Sequence, residues 1–246
     1  MRGGMLSVFF RKDLNDMNPH FTKSDLTLWT SSVTLIILMF VLFDREGYLT
    51  LAASLIGVTS LIFCAKGNPL GQVLMLVFSV FYGIISFSFA YYGEMITHLG
   101  MTAPMAVVAL VSWLTHPYEG NRSEVAVSPL TGKDCAVMAA LTTAVTVAFY
   151  FILAYFHTAN LIPSTVSVAT SFAAAYLTYK RSPWFALAYA SNDVVLIILW
   201  ALASFTDPAY ISVTVCFAVF LVNDVYGFIS WRKMGQKQAQ KLHGEG

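Results

Sequence analysis

The sequence predicts an all-α integral membrane protein with eight transmembrane helices, and three observations predict it. Hydrophobic residues make up 57% of the 246 positions and charged residues only 11%, whereas a typical soluble domain carries about 25% charge. Eight stretches are each long and apolar enough for a span of about 20 residues. The basic residues then fall almost wholly on one side of the topology those spans define.

The spans run over 27–43, 48–64, 69–92, 95–114, 135–156, 159–179, 183–205 and 208–231. The fourth holds His98, Thr102 and Pro104, and the sixth is rich in Ser and Thr with Pro163. Both are retained because they are nearly uncharged and because dropping either would scatter the basic residues. With eight spans, one side receives the N-terminal segment 1–26, the loops 65–68, 115–134 and 180–182, and the tail 232–246. That side collects thirteen of the fourteen Lys and Arg, Arg2, Arg11 and Lys12 among them, and the other side has Arg45 alone. By the positive-inside rule both termini are cytoplasmic. Residues 1–26 contain Asp13, Asp16 and Asp25 and lack a compact apolar core, so no secretory signal is expected. Both terminal segments read as short polar tails, and 115–134, with Pro117, Gly120, Pro129 and Gly132, reads as a connector.

The remaining composition narrows the function. A net charge of +1 gives no reason to expect a nucleic-acid partner. Cys64, Cys135 and Cys216 are far apart and odd in number, so neither a disulfide framework nor a metal site is expected. They read as small core- or lipid-facing residues. The chain has no P-loop, His-Glu-x-x-His run or Gly-x-Ser-x-Gly elbow, so neither a cofactor nor a catalytic residue is assigned.

An internal repeat organises the spans. Lys66-Gly67-Asn68-Pro69 and Lys180-Arg181-Ser182-Pro183 each lead into a long aromatic-rich helix, and each following two-helix run ends in Ser-Trp, at Trp113 and Trp231. Two parallel three-helix units, 48–114 and 159–231, are therefore expected. The helix 135–156 links them, and 27–43 is an extra N-terminal helix. Such parallel repeats place a binding site near mid-membrane between the units.

Polar residues inside the spans mark that site. An intramembrane carboxylate is costly unless it faces a partner or a polar cavity. Asn192-Asp193 and Asn223-Asp224 both lie roughly 12–15 Å from the basic edge at 1.5 Å per residue. No Lys or Arg shares their depth. Tyr189, Asn192, Asp193 and Trp200 share a face by three- and four-residue spacing. Trp184, Tyr82 and Tyr226 add aromatic surface suited to a flat or cationic ring, and Gln72 and Ser79 add polar groups. Phe40, Phe43, Tyr48, Tyr91, Tyr92 and Trp113 sit near span ends and read as interfacial belts, and His98 reads as interfacial too. Two intramembrane aspartates also leave open proton coupling through Asp193 or Asp224, or an aspartate hydrolase.

Ala190–Leu196, Ala-Ser-Asn-Asp-Val-Val-Leu, and Phe220–Trp231, Phe-Leu-Val-Asn-Asp-Val-Tyr-Gly-Phe-Ile-Ser-Trp, resemble the signature helices of PnuC-type bacterial vitamin B3 transporters. The resemblance covers roughly 48–233 and is more specific in the second unit. It implies a SWEET-like fold in the bacterial cytoplasmic membrane and downhill transport of nicotinamide riboside, which a separate cytoplasmic riboside kinase would trap. Other vitamins or nucleosides stay open as substrates, as does assembly into a homo-oligomer. The resemblance also makes Pro104 and Pro163 the expected hinges.

Overall fold

The computed structural model describes residues 21–88, 92–158 and 160–244. Arg2, Arg11, Lys12, Tyr91 and most of the segment 1–26 lie outside them. Among the described residues eight long apolar helices cross the molecule: α1 Lys23–Phe43, α2 Tyr48–Ala65, α3 Leu70–Ser88, α4 Tyr92–Thr115, α5 Gly132–Tyr155, α6 Leu161–Tyr179, α7 Trp184–Ser204 and α8 Tyr210–Gly244. Each is long and apolar enough to span a bilayer.

α2, α3 and α4 stand side by side, as do α6, α7 and α8. α4 closes onto α6 and α8 onto α2, making a ring of six helices. α1 lies outside the ring against α2 and α8, and α5 lies outside it against α6 and α4. Exchanging α1–α4 for α5–α8 leaves this arrangement unchanged. The extra N-terminal helix is thus the counterpart of the linking helix, and each three-helix unit carries one further helix docked in the same way.

The match extends to single bonds. α1 and α5 both begin with a capping box, Thr22 with Asp25 and Thr131 with Asp134, which satisfies otherwise orphaned N–H groups. Each boxed aspartate then pairs with the lysine that closes the next helix hairpin: Lys66 Nζ to Asp25 Oδ2 at 2.6 Å and Lys180 Nζ to Asp134 Oδ1 at 2.6 Å. The residue after each lysine is left-handed, Gly67 at φ 64° and Arg181 at φ 55°. Gly67 meets that demand without steric cost, and a Cβ there would crowd Met234 Cε at 3.1 Å.

The sequence places Asp25 in a polar tail, but it is fully buried and also accepts from the Tyr226 hydroxyl at 2.6 Å. The Asp134 side chain keeps 20% exposure. Asp25→Asn should therefore cost about 3 kcal/mol, the low end for breaking a buried pair, and Asp134→Asn markedly less, because water screens a partly exposed pair. Thermal unfolding in detergent reads both, and equal losses would contradict this ranking.

The tryptophans that end the two runs cross over. Trp231 Nε1 donates to the Cys64 carbonyl at 2.7 Å and Trp113 Nε1 to the Thr178 carbonyl at 2.9 Å. These carbonyls belong to the last turns of α2 and α6, where backbone acceptors lack intrahelical partners. The two indoles meet at 5.3 Å between centroids, and Phe185 packs on both. The belt reading of Trp113 is thus corrected: a buried indole N–H needs an acceptor, and this one finds it in the opposite unit. Phe40 is buried as well, whereas Phe43, Tyr48 and Tyr92 are exposed as a belt requires.

Two features at the basic end break the symmetry. α8 continues without interruption to Gly244, so 232–244 is helix and not a loose tail. The connector folds into a hairpin, β1 Pro117–Tyr118 against β2 Asn121–Val125. Its turn residues Glu119 and Gly120 both have positive φ, at 49° and 75°, as a type I′ turn requires. Gln238 of α8 fastens the hairpin by accepting from Val127 N at 2.9 Å and donating to Val125 O at 3.1 Å. Exposed Lys241 adds an ion pair to Glu119 at 3.1 Å and holds that carboxyl below its ordinary range.

Candidate functional site

Asp193 of α7 and Asp224 of α8 are buried and lie within hydrogen-bonding contact of each other. Small residues permit the approach. Ala186 and Ala190 lie on the Asp193 face of α7, and Gly227 lies one turn from Asp224, where a Cβ would come 3.6 Å from the Ala186 Cβ. Close helix approach over small residues is the usual way to pack spans. The first unit supplies the other wall. Gln72 Nε2 of α3 donates to Cys64 Sγ of α2 at 3.3 Å, and Cys64 is within electrostatic reach of Asp224. Tyr189 lies near Thr178 and both acids, and Cys216 lies near Ser54 and Asp193. Asp193 Oδ2 has no hydrogen-bond partner among the described residues. Two carboxyl groups in contact repel unless a proton or a cation sits between them.

An aromatic layer lies on the side of the pair away from the basic end. Tyr82 is buried with its ring 4.4 Å from His98, 5.6 Å from Phe78, 6.1 Å from Phe217 and 6.3 Å from Trp200. Phe220 packs on Phe78 at 5.8 Å. Gly57 makes room for it, since a Cβ there would stand 2.5 Å from Phe220 Cζ. His98 opens a π-helical turn, His98–Thr102, just before Pro104. Proline cannot donate to the ladder and clashes with the preceding turn, and a widened turn relieves both problems.

The expected site residues divide into two groups. Asp193, Asp224, Gln72, Tyr189, Tyr82 and Trp200 come together between the units. Asn192 turns to α6, where its Oδ1 accepts from Thr170 Oγ1 at 2.8 Å and Ser167 Oγ at 3.1 Å. Asn223 faces α1, donating to Ser32 Oγ at 3.0 Å. Tyr226 is bound to Asp25 at the α1–α8 joint, away from the acid pair. Trp184 is 46% exposed and packs on Phe228 at the rim. Adjacent helical residues point about 100° apart, so Asn192 with Asp193, and Asn223 with Asp224, cannot both face one cavity. Ser79 is buried and donates to the Met75 carbonyl. Pro163 lies in the first turn of α6, where proline is tolerated without a kink, so it is not placed as a hinge.

Sequence reasoning missed Glu94, His98, Cys64 and Cys216, all of them buried. Glu94 falls between two expected spans, and His98 reads as interfacial from its place near a span end. An acid one helical turn before a histidine was the available signal.

The sequence profile of the nicotinamide mononucleotide transporter family matches residues 47–233. The chain belongs to this family. Its PnuC-type members include the nicotinamide riboside transporter PnuC of Neisseria mucosa, which is 24% identical over 222 residues, 86% of this chain and 84% of that protein. The crystal structure of the vitamin B3 transporter PnuC superposes with a TM-score of 0.78 at 22% identity, covering 91% of this chain and 96% of that one. That likeness establishes a PnuC fold, and the family match makes the chain a multi-pass membrane transporter.

Proposed function

We propose that the chain carries nicotinamide riboside downhill across the bacterial cytoplasmic membrane, by alternating access between the units 48–114 and 159–231. The observation that carries this reading is the contact between Asp193 and Asp224, a buried acidic pair at the interface with no basic side chain at its depth. A pyridinium cation complements such a pair, and the aromatic faces of Tyr189, Tyr82 and Trp200 favour a flat cation as well. Gln72 is the amide and ribose partner. The Neisseria relative's name supplies the substrate. Charge asymmetry supports placing the basic end and both termini in the cytoplasm. A separate riboside kinase would then trap the cargo. Pro104 with its π turn is the hinge retained, and Asn192 acts by holding α6 to α7.

Proteoliposomes should take up labelled riboside to equilibrium and no further, whatever the pH gradient. Accumulation above equilibrium under a gradient would replace the facilitator with proton coupling through the acid pair, the one competing reading that the carboxyl contact favours. Uptake of a different vitamin with none of the riboside would overturn the substrate. Purified protein should leave the riboside chemically intact, and cleavage would make it a hydrolase. Asn192→Ala should lower the unfolding temperature, because Ser167 and Thr170 lose the acceptor that ties α6 to α7. An unchanged melting curve would remove that role.

A further inference from the structure

The basic end of the bundle carries a cavity of about 540 Å³, separate from the acid pair. Its walls are the first turn of α1, the end of α2, strand β2 and the extension of α8. Two of those walls, the hairpin and the α8 extension, are the features that break the match between the units. The volume is within the usual range for small-molecule sites, about 300–1,000 Å³. Three ammonium groups line it: Lys66, Lys233 and Lys237, the last two one turn apart on α8. Lys233 and Lys237 make no ion pair among the described residues. Among the described residues Glu124 is the one carboxylate in the lining, and its Oε1 already accepts from Gln238 Nε2 at 2.8 Å. Ser123 and Ser230 add hydroxyl donors.

We propose that this cavity binds a phosphate-bearing anion, with Lys233 and Lys237 as its principal ligands. Lysine binds phosphate as a compact point charge, and hydroxyls complete the donor set. Spare positive charge in a concave, hydroxyl-lined pocket suits such an anion. The anion has two natural sources, the headgroup of an anionic lipid at the membrane surface and a soluble nucleotide in the cytoplasm. Lys66 is already bound to Asp25 beneath the cavity, so an occupant there would compete for that ammonium at the α1–α2 joint. The proposal does not depend on what the transporter carries.

The test uses full-length protein, delipidated in a neutral maltoside detergent. Adenosine 5′-monophosphate is titrated against it, with adenosine as the control lacking phosphate. In a second arm phosphatidylglycerol is added and retention is read by native mass spectrometry. One arm should show a single bound equivalent, and the arm that does so identifies the source. Lys233→Gln with Lys237→Gln should lower that binding tenfold or more without moving the unfolding temperature or riboside binding. The proposal is overturned if neither probe binds, if adenosine binds as well as its monophosphate, or if the double variant binds like the parent.

Discussion

Replacing both central acids, Asp193→Asn with Asp224→Asn, should weaken nicotinamide riboside binding a hundredfold or more. Each single replacement should cost about tenfold. Two unit charges about 4 Å apart interact by about 4 kcal/mol at an effective dielectric constant of 20, and a hundredfold loss corresponds to about 2.8 kcal/mol. A single variant keeps one carboxyl group in the site, because the two side chains are in contact, and only the double variant removes the acidic character entirely. The reduced, uncharged riboside is the control. It offers the same ribose and amide without the cation, so its affinity should change less than threefold in the double variant. Equal losses for both ligands would mean that the acids shape the cavity instead of balancing charge. Normal riboside binding by the double variant would remove them from the site. Calorimetry with purified protein reads all of these, and a melting curve confirms that each variant folds.

The second large effect concerns closure of the ring. Trp231→Ala should destabilise the protein by about 3–5 kcal/mol, the range for deleting a buried aromatic side chain. Trp231 has no exposed surface and Trp113 only 1%, and each indole spans from its own unit to the other. Trp231→Phe keeps a ring and loses the donor to Cys64, whose carbonyl still accepts from Gly67 N at 2.9 Å, so about 1 kcal/mol is expected from the lost hydrogen bond. Because the rings touch at 5.3 Å, the double alanine variant should cost measurably less than the sum of the singles. Losses below about 1 kcal/mol for both single alanine variants would show that the ring closes without this clasp.

The acid pair is legible in the sequence because a carboxylate within an apolar span is a costly exception that the local pattern exposes. The repeat is legible from its punctuation, the Lys-x-x-Pro turns and the closing Ser-Trp. What the punctuation marks is less so: the lysines bind capping aspartates, and the tryptophans cap the opposite unit. Trp113 looks like an interfacial aromatic because its sequence neighbourhood is a span end. Only the docking of α4 on α6 makes that end an interior. The hairpin at 117–125 escapes notice because its two-residue turn, Glu119-Gly120, carries weaker hairpin chemistry than Asn-Gly and its strands are short.

By itself the sequence determined the number of helices, the side on which the basic residues gather, and the presence of buried acids. These follow from composition and from each helix satisfying its own backbone in lipid. Tertiary structure alone decided which of two neighbouring residues belongs to the site. Asn192 and Asp193 are equally polar and equally deep, yet a rotation of about 100° along the helix sends one to α6 and the other to α8. The same rotation turns Asn223 to α1 and Asp224 to its partner acid. A one-dimensional pattern contains the period of the helix but not the identity of the helix packed against each face.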